Sequence, residues 1–160
     1  MRPLKKNKFN LSHEHLGTYE MGPIYPNLLL ETVPGDTFEC VTESFSRFDA
    51  MTSATMSRID KFQYYVYVPK RLVFADYYEK YRFGGKDGTD TTVPPYMNAP
   101  ATTGYAVGSL ADHFGLPTGV PDFKHSAMPF RAYELFLNNW ILNDHLDTFF
   151  TVLTTPGQDK

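Results

Sequence analysis

The spacing of apolar residues changes along the chain, from alternating or short runs in the first part to helical spacing in the second. Leu28-Leu29-Leu30-Glu31-Thr32-Val33 is a short apolar run stopped by Pro34-Gly35-Asp36. That triplet predicts a turn, because Pro presets φ and Gly accepts a positive one. Thr37–Phe48 then carries Phe38, Cys40, Val41, Phe45 and Phe48 among Thr, Ser and Glu. The alternation slips where Cys40 adjoins Val41, as a bulge would make it do, and Cys40 reads as a small buried apolar residue inside a strand. The clearest strand pattern is Arg58–Val68. It sets Phe62, Tyr64, Val66 and Val68 on one face, expected to be buried, and Lys61, Gln63, Tyr65 and Tyr67 on the other. Rings on the second face imply that it meets another layer or another subunit.

After Pro69 the period becomes helical. Leu72, Ala75, Tyr78 and Arg82 predict a helix over Arg71–Arg82. Residues Gly84–Gly104, rich in Gly and Thr and carrying Pro94, Pro95 and Pro100, read as a long loop of the kind used for binding or interfaces. Ser109-Leu110-Ala111-Asp112 has the form of a capping box opening a short helix that ends near Gly115. Pro129 opens the strongest helix, with Phe130, Tyr133, Leu137 and Trp140 along one stripe and Phe136 and Ile141 widening it. Thr148–Leu153 predicts one more strand before a turn at Pro156-Gly157. Strands first and helices later imply a mainly β structure with helical and long-loop insertions. Three or four strands cannot close a barrel or a sandwich, so partner chains or further sequence are expected to complete the sheets.

Composition supports the β reading. The 160 residues include 13 Phe and 11 Tyr against one Trp, with 12 Pro and 11 Gly, which suits strands and punctuated loops and argues against disorder. The net charge of −3 excludes a general basic nucleic-acid binder. Charge is nevertheless uneven: Arg2, Lys5, Lys6 and Lys8 precede any acid. Such an arm can touch nucleic acid, and it is also a common form of solvated terminus. A single cysteine, Cys40, allows no internal disulfide. No 18-residue apolar run and no hydrophobic stretch behind the N-terminal charges are present, so neither membrane contact nor a signal peptide is expected.

Chemistry is sparse. His13-Glu14-His15 followed by Glu20 could place two imidazoles and a carboxylate on one face as a metal site. The spacing resembles part of the first cupin motif, but Asn7 and Asn27 stand where that motif has glycines. In the second motif Pro117-Thr118-Gly119 is followed by Asp122, with His125 arriving late. Asp112-His113 and Asp144-His145 are adjacent pairs that diverge by about 100° on a helix, so neither forms an orienting Asp–His bond by itself. Phe83-Gly84-Gly85-Lys86-Asp87-Gly88 follows a helix instead of opening one, the wrong context for cradling phosphate. No catalytic residues, no cofactor and no bound metal are expected.

Six segments in order resemble the major capsid proteins of the microviruses (Microviridae), nearest to the gokushovirus branch. They are Phe9-Asn10-Leu11-Ser12-His13; Pro34-Gly35-Asp36-Thr37-Phe38; Phe62-Gln63-Tyr64-Tyr65-Val66-Tyr67-Val68-Pro69-Lys70-Arg71; Pro94-Pro95-Tyr96; Ser109-Leu110-Ala111-Asp112-His113-Phe114-Gly115-Leu116-Pro117; and Pro129-Phe130-Arg131-Ala132-Tyr133 running into Asn138-Asn139-Trp140. The resemblance implies a viral jelly roll (a β-sandwich or barrel) with long insertions, packed as copies of itself into an icosahedral bacteriophage shell around single-stranded DNA. It places the N-terminal segment on the inner side. Members of that family are longer, so the chain is expected to be a partial subunit.

These readings divide the chain into a basic arm and extended segment (1–26), first jelly-roll strands (27–70), a helical and loop insertion (71–147) and the start of a further strand (148–160). They predict a structural, non-enzymatic virion protein whose partners are other copies of the same chain, packaged single-stranded DNA and minor capsid or scaffolding proteins, with assembly in the host cytoplasm. Expected nucleic-acid contacts are Arg2, Lys5, Lys6 and Lys8; expected subunit contacts are Tyr65, Tyr67, Tyr96, Phe130, Tyr133 and Trp140. The competing readings are a cupin-like metal-dependent enzyme using His13, His15 and Glu20, and a stand-alone β module binding carbohydrate or protein.

Overall fold

The architecture comes from a computed structural model that describes residues 7–54 and 56–159. In chain order it comprises α1 (Lys70–Val73), a π-helical turn (Tyr77–Arg82), β1 (Tyr96–Asn98), α2 (Leu110–His113), β2 (Lys124–Ser126) and α3 (Met128–Trp140). The only sheet among the described residues is an antiparallel pair, with Tyr96 opposite Ser126, Met97 opposite His125 and Asn98 opposite Lys124. The mainly β jelly roll is therefore not what this chain forms.

The correction has one physical cause. A strand is defined by its hydrogen-bonding neighbour, and an alternating pattern states only which side chains want cover. Apart from the turn at 34–35, the described residues of 27–69 form no helix and no strand. From 37 to 50 and from 56 to 68 no backbone–backbone hydrogen bond is made among the described residues. The Arg58–Val68 face expected to be buried is open instead: Phe62 is 76% exposed, Tyr64 and Val66 are exposed, and Val68 is half-buried. Cys40 is likewise exposed. Thr148–Leu153 forms no strand, although Gln158 bridges Tyr96 in parallel. The Pro34-Gly35 turn does form, closed by Asp36 N–H to the Val33 carbonyl (3.0 Å) and by Val33 N–H to the Asp36 carboxylate (3.0 Å). Gly35 takes a φ of 96°, which a side chain would resist.

Where the signals are local, structure follows them. The Ser109 hydroxyl caps α2 by accepting from Asp112 N–H (3.4 Å), and Asp112 returns a bond by accepting from Gly108 N–H (2.8 Å). Pro129 stands in the first turn of α3, where its missing N–H costs nothing. The helix expected over Arg71–Arg82 breaks at Phe74, whose backbone is extended, and resumes as the π-helical turn. The break turns the Phe74 ring wholly inward, against Tyr77 at 6.3 Å and Tyr81 at 6.1 Å. The 84–104 segment holds successive turns and β1. Gly84 (φ 75°) lies so near the Gly88 backbone that a Cβ would sit 2.8 Å from its carbonyl.

Few side chains are fully buried: Val73, Phe74, Pro95, Ala99, Ala111, Ala127 and Arg131. All but Ala111, which is the buried residue of α2, belong to or border α1, β1 and the start of α3. This small core predicts an asymmetry between two phenylalanines. Phe74→Ala should lower thermal stability by about 3–5 kcal/mol, whereas Phe62→Ala should stay within about 0.5 kcal/mol of the parent. Comparable losses in unfolding experiments on the two variants would contradict the placement of the core.

Candidate assembly interface

The half of the chain that holds together does so around a charge. Arg131, 2% exposed, makes four hydrogen bonds from its guanidinium. Nε and Nη2 donate to the two Asp159 carboxylate oxygens at 2.7 and 2.5 Å, Nη1 to the Val73 carbonyl at 2.8 Å and Nη2 to the Thr155 carbonyl at 2.9 Å. A planar fork with five donors suits this bidentate pairing and leaves capacity for the two carbonyls. Removing a guanidinium from water costs several kcal/mol, and only a paired, fully bonded site offsets that cost. The bonds tie α3 to the end of α1 and to the 155–159 segment. That segment lies along β1 through Tyr96 N–H to the Gly157 carbonyl (3.0 Å) and Asp159 N–H to the Tyr96 carbonyl (2.8 Å). Glu134, one turn along α3, has its carboxyl pushed up by burial first and by the nearby Asp159 second, against the opposing pull of Arg131.

On another face, α2 and α3 form a cleft lined by His113, Phe114, Phe130 and Tyr133, with Phe114 5.0 Å from Phe130 between ring centroids. The extended segment docks there at Ile24–Pro26. The Tyr133 hydroxyl donates to the Ile24 carbonyl (2.6 Å), and the Tyr25 ring lies 4.4 Å from His113. Burial raises the Tyr133 pKa, with Tyr25 adding to it, so the hydroxyl stays a donor. Beyond this point the arm touches the body through Tyr64 against Phe136 (5.8 Å) and an exposed Lys70–Glu31 pair (3.4 Å).

The expected subunit contacts separate into two groups. Tyr96, Phe130 and Tyr133 are engaged within the chain: Tyr96 lies in β1 under the Lys124 ammonium (3.7 Å), Phe130 joins the aromatic cleft, and Tyr133 holds the arm. Tyr65, Tyr67 and Trp140 remain exposed, Trp140 by 78%. Tyr65 spends its hydroxyl on Thr42; Leu146, Phe149 and Phe150 are also exposed, and the Phe150 backbone is bonded to Asn138 near the end of α3. Of the basic arm, Arg2, Lys5 and Lys6 lie outside the described residues; Lys8 is exposed. His13 turns its Nδ1 to the Leu11 carbonyl (2.8 Å), and no cluster of three metal-ligating side chains occurs among the described residues. No helix among them is long and apolar enough to cross a membrane. Sequence reasoning missed Arg131 and Asp159, whose pairing spans 28 positions.

The chain exposes 13673 Å². A compact protein of this mass exposes about 8000 Å², so about 5700 Å² is surplus. A standard interface takes about 800 Å² from each partner. The surplus is large enough for several such contacts, and the exposed rings of Phe38, Phe45, Phe48, Phe62, Tyr64, Tyr65 and Tyr67 contribute to it.

The family described as capsid protein (F protein) matches residues 2–159. The capsid protein VP1 of Bdellovibrio phage phiMH2K is 35% identical over 157 residues, which cover 97% of this chain and 29% of that protein. The capsid protein VP1 of Chlamydia phage 1 is 30% identical over 164 residues, covering 98% and 27% respectively. That of Spiroplasma virus 4 is 27% identical over 147 residues, covering 91% and 26%. The chain thus spans between 26% and 29% of the length of these relatives.

The Arg131 site predicts two opposite responses. Arg131→Met leaves Asp159 half-enclosed without its partner and should cost about 3–5 kcal/mol. Glu134→Gln should raise the melting temperature at neutral pH. A carboxyl raised in the folded state is destabilising once pH climbs through its folded pKa, so the gain should disappear below the usual carboxylate range. Thermal melts across pH check both, and a Gln variant less stable at neutral pH would contradict the burial of Glu134.

Proposed function

The chain belongs to the capsid protein (F protein) family, and we propose that it serves as a structural part of a small icosahedral phage shell, associating with other copies of itself around single-stranded DNA. The microvirus resemblance carried by the six segments is borne out by this membership. The observation that carries the reading is the surplus surface: an extended region with exposed rings and unbonded backbone has the form of polypeptide that other polypeptide covers. A stand-alone binding module would close its own core, and the exposure of Phe62, Tyr65, Tyr67 and Trp140 argues against that. The virion is the corresponding location, with assembly in the host cytoplasm and with minor capsid or scaffolding proteins as further partners.

Tyr65, Tyr67 and Trp140 are the contacts proposed to face neighbouring copies. Light scattering on the purified chain should show association. Replacing all three by Ser should shift the distribution toward monomer while the signal from the Arg131 core persists in thermal melts. A clean monomer with one sharp unfolding transition would refute the assembly reading.

Arg2, Lys5, Lys6 and Lys8 are proposed to meet the packaged genome through phosphates, without sequence preference. Four such contacts to a single strand correspond to a slope of about −3 in log K against log salt. Reversing Lys5, Lys6 and Lys8 to Glu should abolish most of that slope in oligonucleotide titrations, and an unchanged slope would reduce the arm to a solvated terminus.

A further inference from the structure

The α2–α3 cleft already holds a ligand, and that ligand is a piece of the chain itself. Met21-Gly22-Pro23-Ile24-Tyr25-Pro26 passes through it, and Ile24, Tyr25 and Pro26 are half-buried where both flanking stretches are exposed. The seat is specific. The segment supplies the Ile24 carbonyl as acceptor for the Tyr133 hydroxyl (2.6 Å) and the Tyr25 ring against His113 (4.4 Å), while the prolines favour an extended backbone.

The connection between this seat and the body is loose. Residues 27–69 lead from Pro26 to α1, and backbone pairing is absent from 37–50 and 56–68 among the described residues. Its ties to the body include one ring contact, Tyr64 to Phe136, and one exposed ion pair, Lys70 to Glu31. Exposed pairs of that type contribute about 0–1 kcal/mol. Further contacts join the arm to itself: Tyr19 to Ser46 at 2.5 Å, Lys61 to Ser46 at 3.2 Å, Lys61 over the Tyr19 ring at 5.3 Å, and Thr42 to Tyr65. The arm therefore keeps most of its own contacts wherever its docking segment binds.

We infer that the arm exchanges between copies, the Ile24–Pro26 segment of one chain occupying the α2–α3 cleft of another; the inference rests on the assembly reading above. Cleft contacts are identical in the two connections, so they do not discriminate. The difference lies in the linker. Within one chain the effective concentration falls as the linker lengthens, and closely packed copies of a shell offer a second cleft at short range. The linker rings break the tie. In the closed chain Phe62, Tyr65 and Tyr67 stand in water, whereas a linker crossing between copies lies along the seam, where those rings can be covered. Exchange of an identical element is a low-cost route to association, and a long unpaired connection is its usual hinge.

Photo-crosslinking tests this with Tyr25 replaced by p-benzoylphenylalanine. That chain is refolded in equal amount with a heavy-isotope copy of the unsubstituted chain and illuminated. Arm exchange predicts crosslinked dimers joining light residue 25 to the heavy 110–133 region. Excess free peptide spanning residues 20–28 should reduce their yield several-fold, and Tyr133→Phe in the heavy chain should weaken it. Crosslinks confined to single light chains, in samples that light scattering shows to be associated, would overturn exchange and leave the assembly reading intact. A monomeric sample with only internal crosslinks would overturn both.

Discussion

A buried guanidinium is the constraint on which the folded half of this chain depends. Without Arg131, the meeting of α1, β1, the 155–159 segment and α3 keeps a small apolar core, in which Phe74 and Pro95 are the large members beside Val73, Ala99 and Ala127. Hydrophobic burial of that size is slight for so many elements. Four hydrogen bonds from one side chain specify instead where each element stands, and the Asp159 carboxylate balances the charge. The same bonds set β1 in place through its contact with Gly157 and Asp159. They thereby fix the start of α3, from which Tyr133 reaches the arm.

The second half is organised by what it lacks. Residues 37–50 and 56–68 present rings and a backbone without backbone partners among the described residues, and the body engages the arm at the Ile24–Pro26 seat and at Tyr64. A protein meant to remain alone would treat such a surface as a hazard. In a member of a capsid protein family, it is the surface on which association can act.

This division explains what could be read from the residues. Ser109 with Asp112, Pro129 and Pro34-Gly35 act on neighbours within four positions, so α2, α3 and the turn were legible. The Arg58–Val68 alternation was legible as well, but as a demand for cover rather than as a strand, because its partner is not encoded within the segment. Arg131 gave no local sign. It follows Phe130 on a helix, where a lone arginine normally faces solvent, and its carboxylate lies 28 residues away. Phe74 falls inside the helix expected over Arg71–Arg82, yet its extended backbone is what brings the ring into the core.

Hydrogen–deuterium exchange, followed residue by residue on the isolated chain and on its associated form, tests the central claim most directly. The account predicts slow exchange around the Arg131 core in both states. It predicts fast exchange over 37–50 and 56–68 in the isolated chain, slowing on association as those amides find partners. Protection of these two stretches already in the isolated monomer, or their continued fast exchange in the assembled form, would contradict it.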